Sequence, residues 1–260
     1  MIHQEFLEFK TFLERPSLEA IRRRNLRGIY MDVGANLGGH SVYFSRECPS
    51  TKVLAFEGNP EVAELWKINA LTNRAIPKAE LREHFVSCHR NLDFYRHPTN
   101  AGGSHVEASA SGKHQAKPLD EYANLGEPIV FIKIDVEGHE FEVLKSGEKL
   151  LRKHRPELCI EILNADRSEV FAYLQSMGYA WYGELSNSNH YFAPIRGFFD
   201  KWIAGMEKSK IKAVRSIGWR LRATWAGQMR IISMGEAMRG ALTQRGLHAV
   251  VWKAFQKRQE

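Results

Sequence analysis

Cysteine is scarce in this chain: three in 260 residues, Cys48, Cys88 and Cys159, odd in number and widely spaced. That excludes a disulfide framework and a cysteine-rich zinc site, and it suits a reducing compartment, so a cytoplasmic location is expected. All three lie in or beside apolar segments and read as core filler. No run approaches the ~18 apolar residues of a membrane span. The opening MIHQEFLEFKTFLERP carries acids and no continuous apolar stretch, so no signal peptide is expected. Internal repeats are missing. At 43% hydrophobic and 26% charged residues, the composition rules out wholesale disorder.

Positive charge is present but unevenly placed. The formal net charge is +7, yet residues 196–260 hold 14 Lys/Arg against 4 Asp/Glu, a balance of +10, and residues 1–195 balance at −3. Basicity therefore belongs to the tail and points to an acidic partner for that end.

Apolar runs alternate with helical periodicity along the first three quarters. GIYMDV (28–33), KVLAFE (52–57), PIVFIKIDVEG (128–138) and ELCIEIL (157–163) read as buried strands. Residues 3–14, 40–48, 60–71, 141–154 and 168–178 read as helices, with Asn59-Pro60 as a start signal and Gly178 as a stop. Residues 78–96 suggest one or two strands, 97–117 a loop without a period, and 179–194 a terminal antiparallel pair. The expected class is α/β, a mostly parallel sheet with helices on both faces. The expected division is an N-terminal helical segment (1–27), a main domain (28–195) and a basic helical extension (196–260).

The turn after the first strand carries Asp32, Gly34, Asn36, Gly38 and Gly39. In a doubly wound sheet this is where ligands bind, and glycines let backbone approach them closely. Glu57 ends the next strand, 25 positions after Asp32, where a carboxylate accepts hydrogen bonds from ribose hydroxyls. A nucleoside-containing cofactor follows. Gly34-x-Asn36-x-Gly38 breaks the dinucleotide fingerprint, and Asp32 would repel a pyrophosphate. S-adenosylmethionine (AdoMet), with its sulfonium and ammonium, suits that carboxylate.

MDVGANLGGHS, LAFEGNPEVAELWKINALTN and FIKIDVEGHEFEVLKSG together resemble the FkbM family of AdoMet-dependent methyltransferases, and PLDEY (118–122) fits the same order. The resemblance covers roughly residues 28–195. It implies a class I, Rossmann-like methyltransferase that transfers a methyl group to oxygen, often on a sugar or polyketide. It also implies that Asp32, Gly34, Asn36 and Gly38 cradle the methionine portion and that Glu57 holds the ribose. Gly58 stands where the family usually has proline, and 97–117 matches poorly.

The end of the 128–138 strand supplies Lys133, Asp135, Glu137, His139 and Glu140. Methylating a hydroxyl requires its proton to leave, and a carboxylate or imidazole within hydrogen-bond reach can take it. Asp135 or His139 is the expected base, with Glu137 orienting it or binding substrate hydroxyls. Asp135 and Glu137 face the same way if the strand stays extended to its acids. Magnesium would accept an oxygen-rich set of Asp135, Glu137, His139 and Glu161, but no spacing requires it and no metal site is assigned. The histidines at 84, 89, 97, 105 and 114 match no compact ligand motif and read as solvated. The Asn/Asp-Pro-Pro-Tyr/Phe signature of exocyclic-amine methylation is missing, which argues for an oxygen nucleophile.

The tail holds four of the six tryptophans, and Val214, Ile217, Leu221, Trp225, Met229 and Ile232 form one helical stripe. Three roles compete for it: packing on its own domain or a partner subunit, docking on the anionic inner face of a membrane, and holding nucleic acid. The last is least favoured, because no recognised module accompanies the charge. The expected activity is AdoMet-dependent O-methylation of a saccharide or similar acceptor, in which a lipid-linked glycan would suit membrane docking. The alternatives are an RNA-directed methyltransferase and a non-catalytic AdoMet-binding module.

Overall fold

A computed structural model describes residues 14–97, 104–163, 167–186 and 188–196. The helix expected over 3–14 and the extension expected over 196–260 lie outside these residues, apart from Glu14 and Arg196.

Strand β1 (Gly28–Val33) is buried along its whole length. It pairs in parallel with β2 (Ser50–Phe56) on one side and with β8 (Ile129–Ile134) on the other. Beyond β2 lies β3 (Ala79–Arg82), and beyond β8 lies β9 (Glu157–Glu161), all parallel. Strands β10 (Tyr179–Ser186) and β11 (Asn189–Pro194) complete a seven-stranded sheet in the order β10-β11-β9-β8-β1-β2-β3, antiparallel only in the β10-β11 and β11-β9 pairs. The chain moves outward in one direction from β1 and in the other from β8. The topological switch point therefore falls between them, and the ligand crevice opens at their carboxyl ends.

Both faces of the sheet are covered, which explains strands that are continuously apolar rather than alternating. One face packs Met31, Phe56, Ile132 and Ile160 against α4 (Glu140–Ser146), α5 (Glu148–His154) and α6 (Arg167–Ser176). The other packs Tyr30, Phe131 and Tyr191 against α1 (Arg15–Arg23), α2 (Gly39–Glu47) and α3 (Pro60–Thr72). Asn59 caps α3 by accepting from the Glu61 N–H at 3.1 Å, as the Asn-Pro pair suggests.

Three local expectations are corrected. Residues 97–117 are not simply a loop. The segment contains β6 (His105–Ala108) and β7 (His114–Lys117), which join β4 (Phe85–Val86) and β5 (Asn91–Tyr95) in a small second sheet. With both faces of β6 largely exposed, no apolar alternation marks it in the sequence. The helix over 141–154 is interrupted at Gly147 into α4 and α5. Cys48 and Cys159 are buried, but Cys88 is exposed.

Candidate active site

The turn leaving β1 is shaped by its neighbours. Gly34 has φ +78°, and a Cβ there would lie 1.8 Å from the carbonyl oxygen of Asp135, which immediately follows β8. Gly38 has φ +88°, and its Cβ would press on the Trp66 indole at 2.7 Å. The two glycines are thus required by the protein's own packing, where no side chain fits. The N–H groups of Gly34 and Ala35 both donate to the Phe56 carbonyl, so the turn is fastened to the end of β2.

Asp32 is fully buried. Its carboxylate accepts from the Ser41 hydroxyl, which in turn accepts from the Trp66 indole N–H at 3.1 Å. Burial pushes the Asp32 carboxyl up, with His40, Ser41 and Lys133 acting against that rise. Glu57 stands just past β2. One of its oxygens accepts from the Asn36 N–H at 3.0 Å and the other from the Asn59 N–H at 2.8 Å. It therefore clamps the first turn to the second. Burial also raises the Glu57 carboxyl, opposed by these amides. Asn36 lies in the left-handed region at φ +47°, and its side-chain Oδ1 is buried without a hydrogen-bond partner. A buried acceptor left unmade is costly, and a donor arriving with a ligand would satisfy it.

The second half of the crevice is built on charge. Lys133 sits opposite Asp32 in the β1–β8 register and opposite Cys159 in the β8–β9 register, so the three share one face of the sheet. Its ammonium is buried and donates to the Asp135 carboxylate at 2.7 Å. Although desolvation opposes ionisation of both groups, their mutual attraction holds Asp135 below the usual carboxylate range and the Lys133 ammonium above its own. Strand β8 ends at Ile134. Glu137 then lies at φ +53° and Gly138 at φ +96°, which corrects the idea of an extended strand carrying both acids. The turn is braced by Glu140, whose Oε1 accepts from the Val136 and Gly138 N–H groups at 3.1 and 3.2 Å. Glu140 is buried, which pushes its carboxyl up to about 7.

This turn brings Asp135 and Glu137 to Glu161, at the end of β9. One carboxylate oxygen from each lies within 4.8 Å of the others. His139 does not join them. It is buried at the start of α4, its Nε2 is 2.9 Å from the Ser87 hydroxyl, and burial lowers its pKa. The sequence places Asp135, Glu137 and His139 within five positions at the end of one strand. The turn at 137–138 separates the third from the first two.

Other groups complete the surroundings without having been singled out. Glu14 reaches the same end of the sheet, where it accepts from the Asn189 amide at 2.9 Å and contacts the His40 ring at 3.0 Å. His84 contacts the Tyr122 hydroxyl at 3.0 Å and stacks with that ring, beside Phe56. A lysine inside the apolar run IVFIKI is the one local signal that could have flagged Lys133 as a buried counter-ion.

With this geometry established, the relatives can be set beside it. A family model described as "Methyltransferase FkbM domain" matches residues 32–180. A hexuronic acid methyltransferase of Haloferax volcanii, AglP, is 36% identical over 133 residues, covering 48% of this chain and 52% of the relative. The chain thus spans about half the length of that curated relative. Among solved structures, a methyltransferase FkbM from Methylobacillus flagellatus aligns with TM-score 0.46 and 14% identity over 63% of this chain and 42% of its own. A precorrin-6y C5,15-methyltransferase from Geobacter metallireducens aligns with TM-score 0.43 and 16% identity over 70% of this chain and 80% of its own.

Proposed function

The chain belongs to the FkbM methyltransferase family, and from that premise we propose that it moves the methyl group of AdoMet to a hydroxyl of a saccharide. One observation carries the reading. A turn with an unpartnered acceptor, Asn36 Oδ1, and a cluster of carboxyl groups meet at a single switch point of the sheet. The ligand-facing set fits AdoMet: Asp32, Glu57 and Asn36 are acceptors suited to an ammonium and ribose hydroxyls. When bound, AdoMet supplies an electrophilic methyl on a positively charged sulfur.

The chain supplies the rest. Asp32, Gly34, Asn36 and Gly38 form the wall for the methionine end, and Glu57 receives the ribose. Asp135 and Glu137 face the acceptor, where a carboxylate can take the hydroxyl proton. Holding that oxygen in line with the methyl carbon accounts for much of the acceleration. Lys133 keeps Asp135 ionised. The buried His139 supports the wall at Ser87 and leaves proton transfer to the carboxylates. The saccharide is proposed from the activity of the Haloferax volcanii hexuronic acid methyltransferase.

Two measurements test this. Calorimetry should show AdoMet binding to the wild type and at least 10-fold weaker binding to Glu57→Ala. Labelled AdoMet should then transfer its methyl to uronic-acid-containing oligosaccharides, with Asp135→Ala keeping AdoMet binding and losing turnover. A wild type that ignores AdoMet would refute the reading.

A further inference from the structure

The small second sheet carries a surface outside the methyl-transfer crevice. Strands β5 and β6 are antiparallel, with Tyr95 opposite His105, Phe94 opposite Val106 and Asp93 opposite Glu107. Side chains alternate along a strand, so the pleat divides these pairs between two faces. Phe94 lies on one, against Phe85 and His114, with ring centroids 5.6 and 5.8 Å away. Tyr95, His105, Asp93 and Glu107 share the other. Tyr95 is 47% exposed, and its ring stacks on His105 at 5.2 Å with 15° between the planes. The imidazole thus backs one side of the ring and leaves the rest to solvent. The two acids of this face stand directly opposite each other, a like-charge pairing that costs stability.

Contacts on both sides of Tyr95 fix where it stands. Ahead of it, Phe94 packs on Phe85, whose ring fills the space beside Gly58; a Cβ at Gly58 would lie 2.3 Å from that ring. After it, Arg96 donates to both carboxylate oxygens of Glu61, at 2.6 and 3.2 Å, in the first turn of α3. Gly58 follows Glu57 directly and Glu61 comes four positions later, so Tyr95 is tied to the turn that carries the ribose acceptor. Electrostatically, His105 also reaches Glu137 on the acceptor side.

We propose that Tyr95, backed by His105, is a stacking platform for an uncharged pyranose ring of the acceptor saccharide, and that Asp93 and Glu107 accept hydrogen bonds from its hydroxyls. This rests on the functional reading above and deepens it by naming how the acceptor is held. A pyranose has a face of C–H groups with slight positive charge, which lies flat on the negative face of an aromatic ring. Its rim of hydroxyls needs acceptors, and ionised carboxylates offer nothing else. The same acids repel a uronate, so the ring on the platform is neutral even where the oligosaccharide carries uronic acids elsewhere. Because His105 holds the Tyr95 ring, little side-chain freedom is left to lose on binding. The like-charge pair that weakens the empty sheet gains partners when a sugar arrives.

Saturation-transfer NMR on the full chain tests it, with the methyl glycosides of glucose, galactose and mannose as neutral probes and methyl glucuronide as the charged one. The wild type should transfer saturation to at least one neutral glycoside, most strongly to the C–H protons of one ring face, and less to the glucuronide. Tyr95→Ala should lower that transfer about 5-fold and Tyr95→Phe should keep it, since the ring and not the hydroxyl makes the contact. Replacing both acids, Asp93→Asn with Glu107→Gln, should raise transfer to the glucuronide. No transfer to any neutral glycoside, or equal transfer in the wild type and Tyr95→Ala, would overturn the proposal. So would Tyr95-dependent transfer to adenosine alone, which would make the platform part of a nucleoside site. Should Tyr95→Ala fail to fold, His105→Ala takes its place with the same expectation. AdoMet calorimetry separates this from the reading beneath it: Tyr95→Ala should bind AdoMet as the wild type does, and a wild type that ignores AdoMet strikes the functional reading instead.

Discussion

The two halves of the crevice are held by different forces. Around the β1 turn, backbone does the positioning: amides of Gly34 and Ala35 bond to Phe56, amides of Asn36 and Asn59 bond to Glu57, and two glycines fit where no Cβ can. Around the β8 turn, side-chain charge does it, through Lys133, Asp135, Glu137, Glu140 and Glu161. A backbone-built wall keeps its shape through steric fit and amide hydrogen bonds. A charge-built wall responds to protons and to incoming cations.

Replacements that cross this division should have the largest effects. Gly34→Ala strikes both halves, because the added Cβ meets the Asp135 carbonyl while φ is +78°. It should cost about 5 kcal/mol or prevent folding, read by thermal unfolding. Lys133→Met fits the space but strands a buried Asp135 carboxylate, at about 3–5 kcal/mol. That loss should shrink on acidification: Asp135 sits below its unfolded value in the wild type, so its contribution is present above the unfolded value and disappears as pH falls through the folded one. A Lys133→Met loss that does not change with pH would mean that charge is not what holds this half.

Glu57→Ala removes the acceptor for two amides in the backbone half, an expected loss of about 2 kcal/mol. Burial raises the folded Glu57 carboxyl, so the wild type loses stability as pH rises through that value and the variant does not; the loss should be larger at acid than at alkaline pH, which chemical denaturation can measure. Glu140→Gln should have the smallest effect and the opposite sign. Gln can still accept from Val136 and Gly138, and a buried charge is gone. Folded Glu140 titrates near 7 against 4.5 unfolded, so the native state binds the extra proton and stability falls as pH rises from 4.5 to 7. The variant should gain on the order of 1 kcal/mol at pH 8 and nothing at pH 4, in urea titrations at both values.

How legible each half was in the sequence follows the same division. Asp32, Gly34, Asn36 and Gly38 lie within seven positions, and Glu57 closes the next strand, so strand periodicity and turn chemistry locate them. The charged half draws on strands that meet only through parallel pairing. Glu161 was read only as a conceivable magnesium ligand. His139 was grouped with the acids because it follows Glu137 by two positions, and the turn between them at Glu137 and Gly138 is a feature of the fold. The exposed strand β6 left no periodic trace.

The sequence by itself determined the class of fold, because continuous apolar strands with intervening helical stripes leave a doubly wound sheet as the arrangement that buries both faces. It also located the glycine turn after β1, because glycine placement is a local steric demand. Only the tertiary structure decided which acids meet. The turn after β8 and the end of β9 bring one carboxylate oxygen each of Asp135, Glu137 and Glu161 within 4.8 Å of one another, with the Lys133 ammonium 2.7 Å from Asp135, and electrostatic energy depends on distance and solvent rather than on sequence separation.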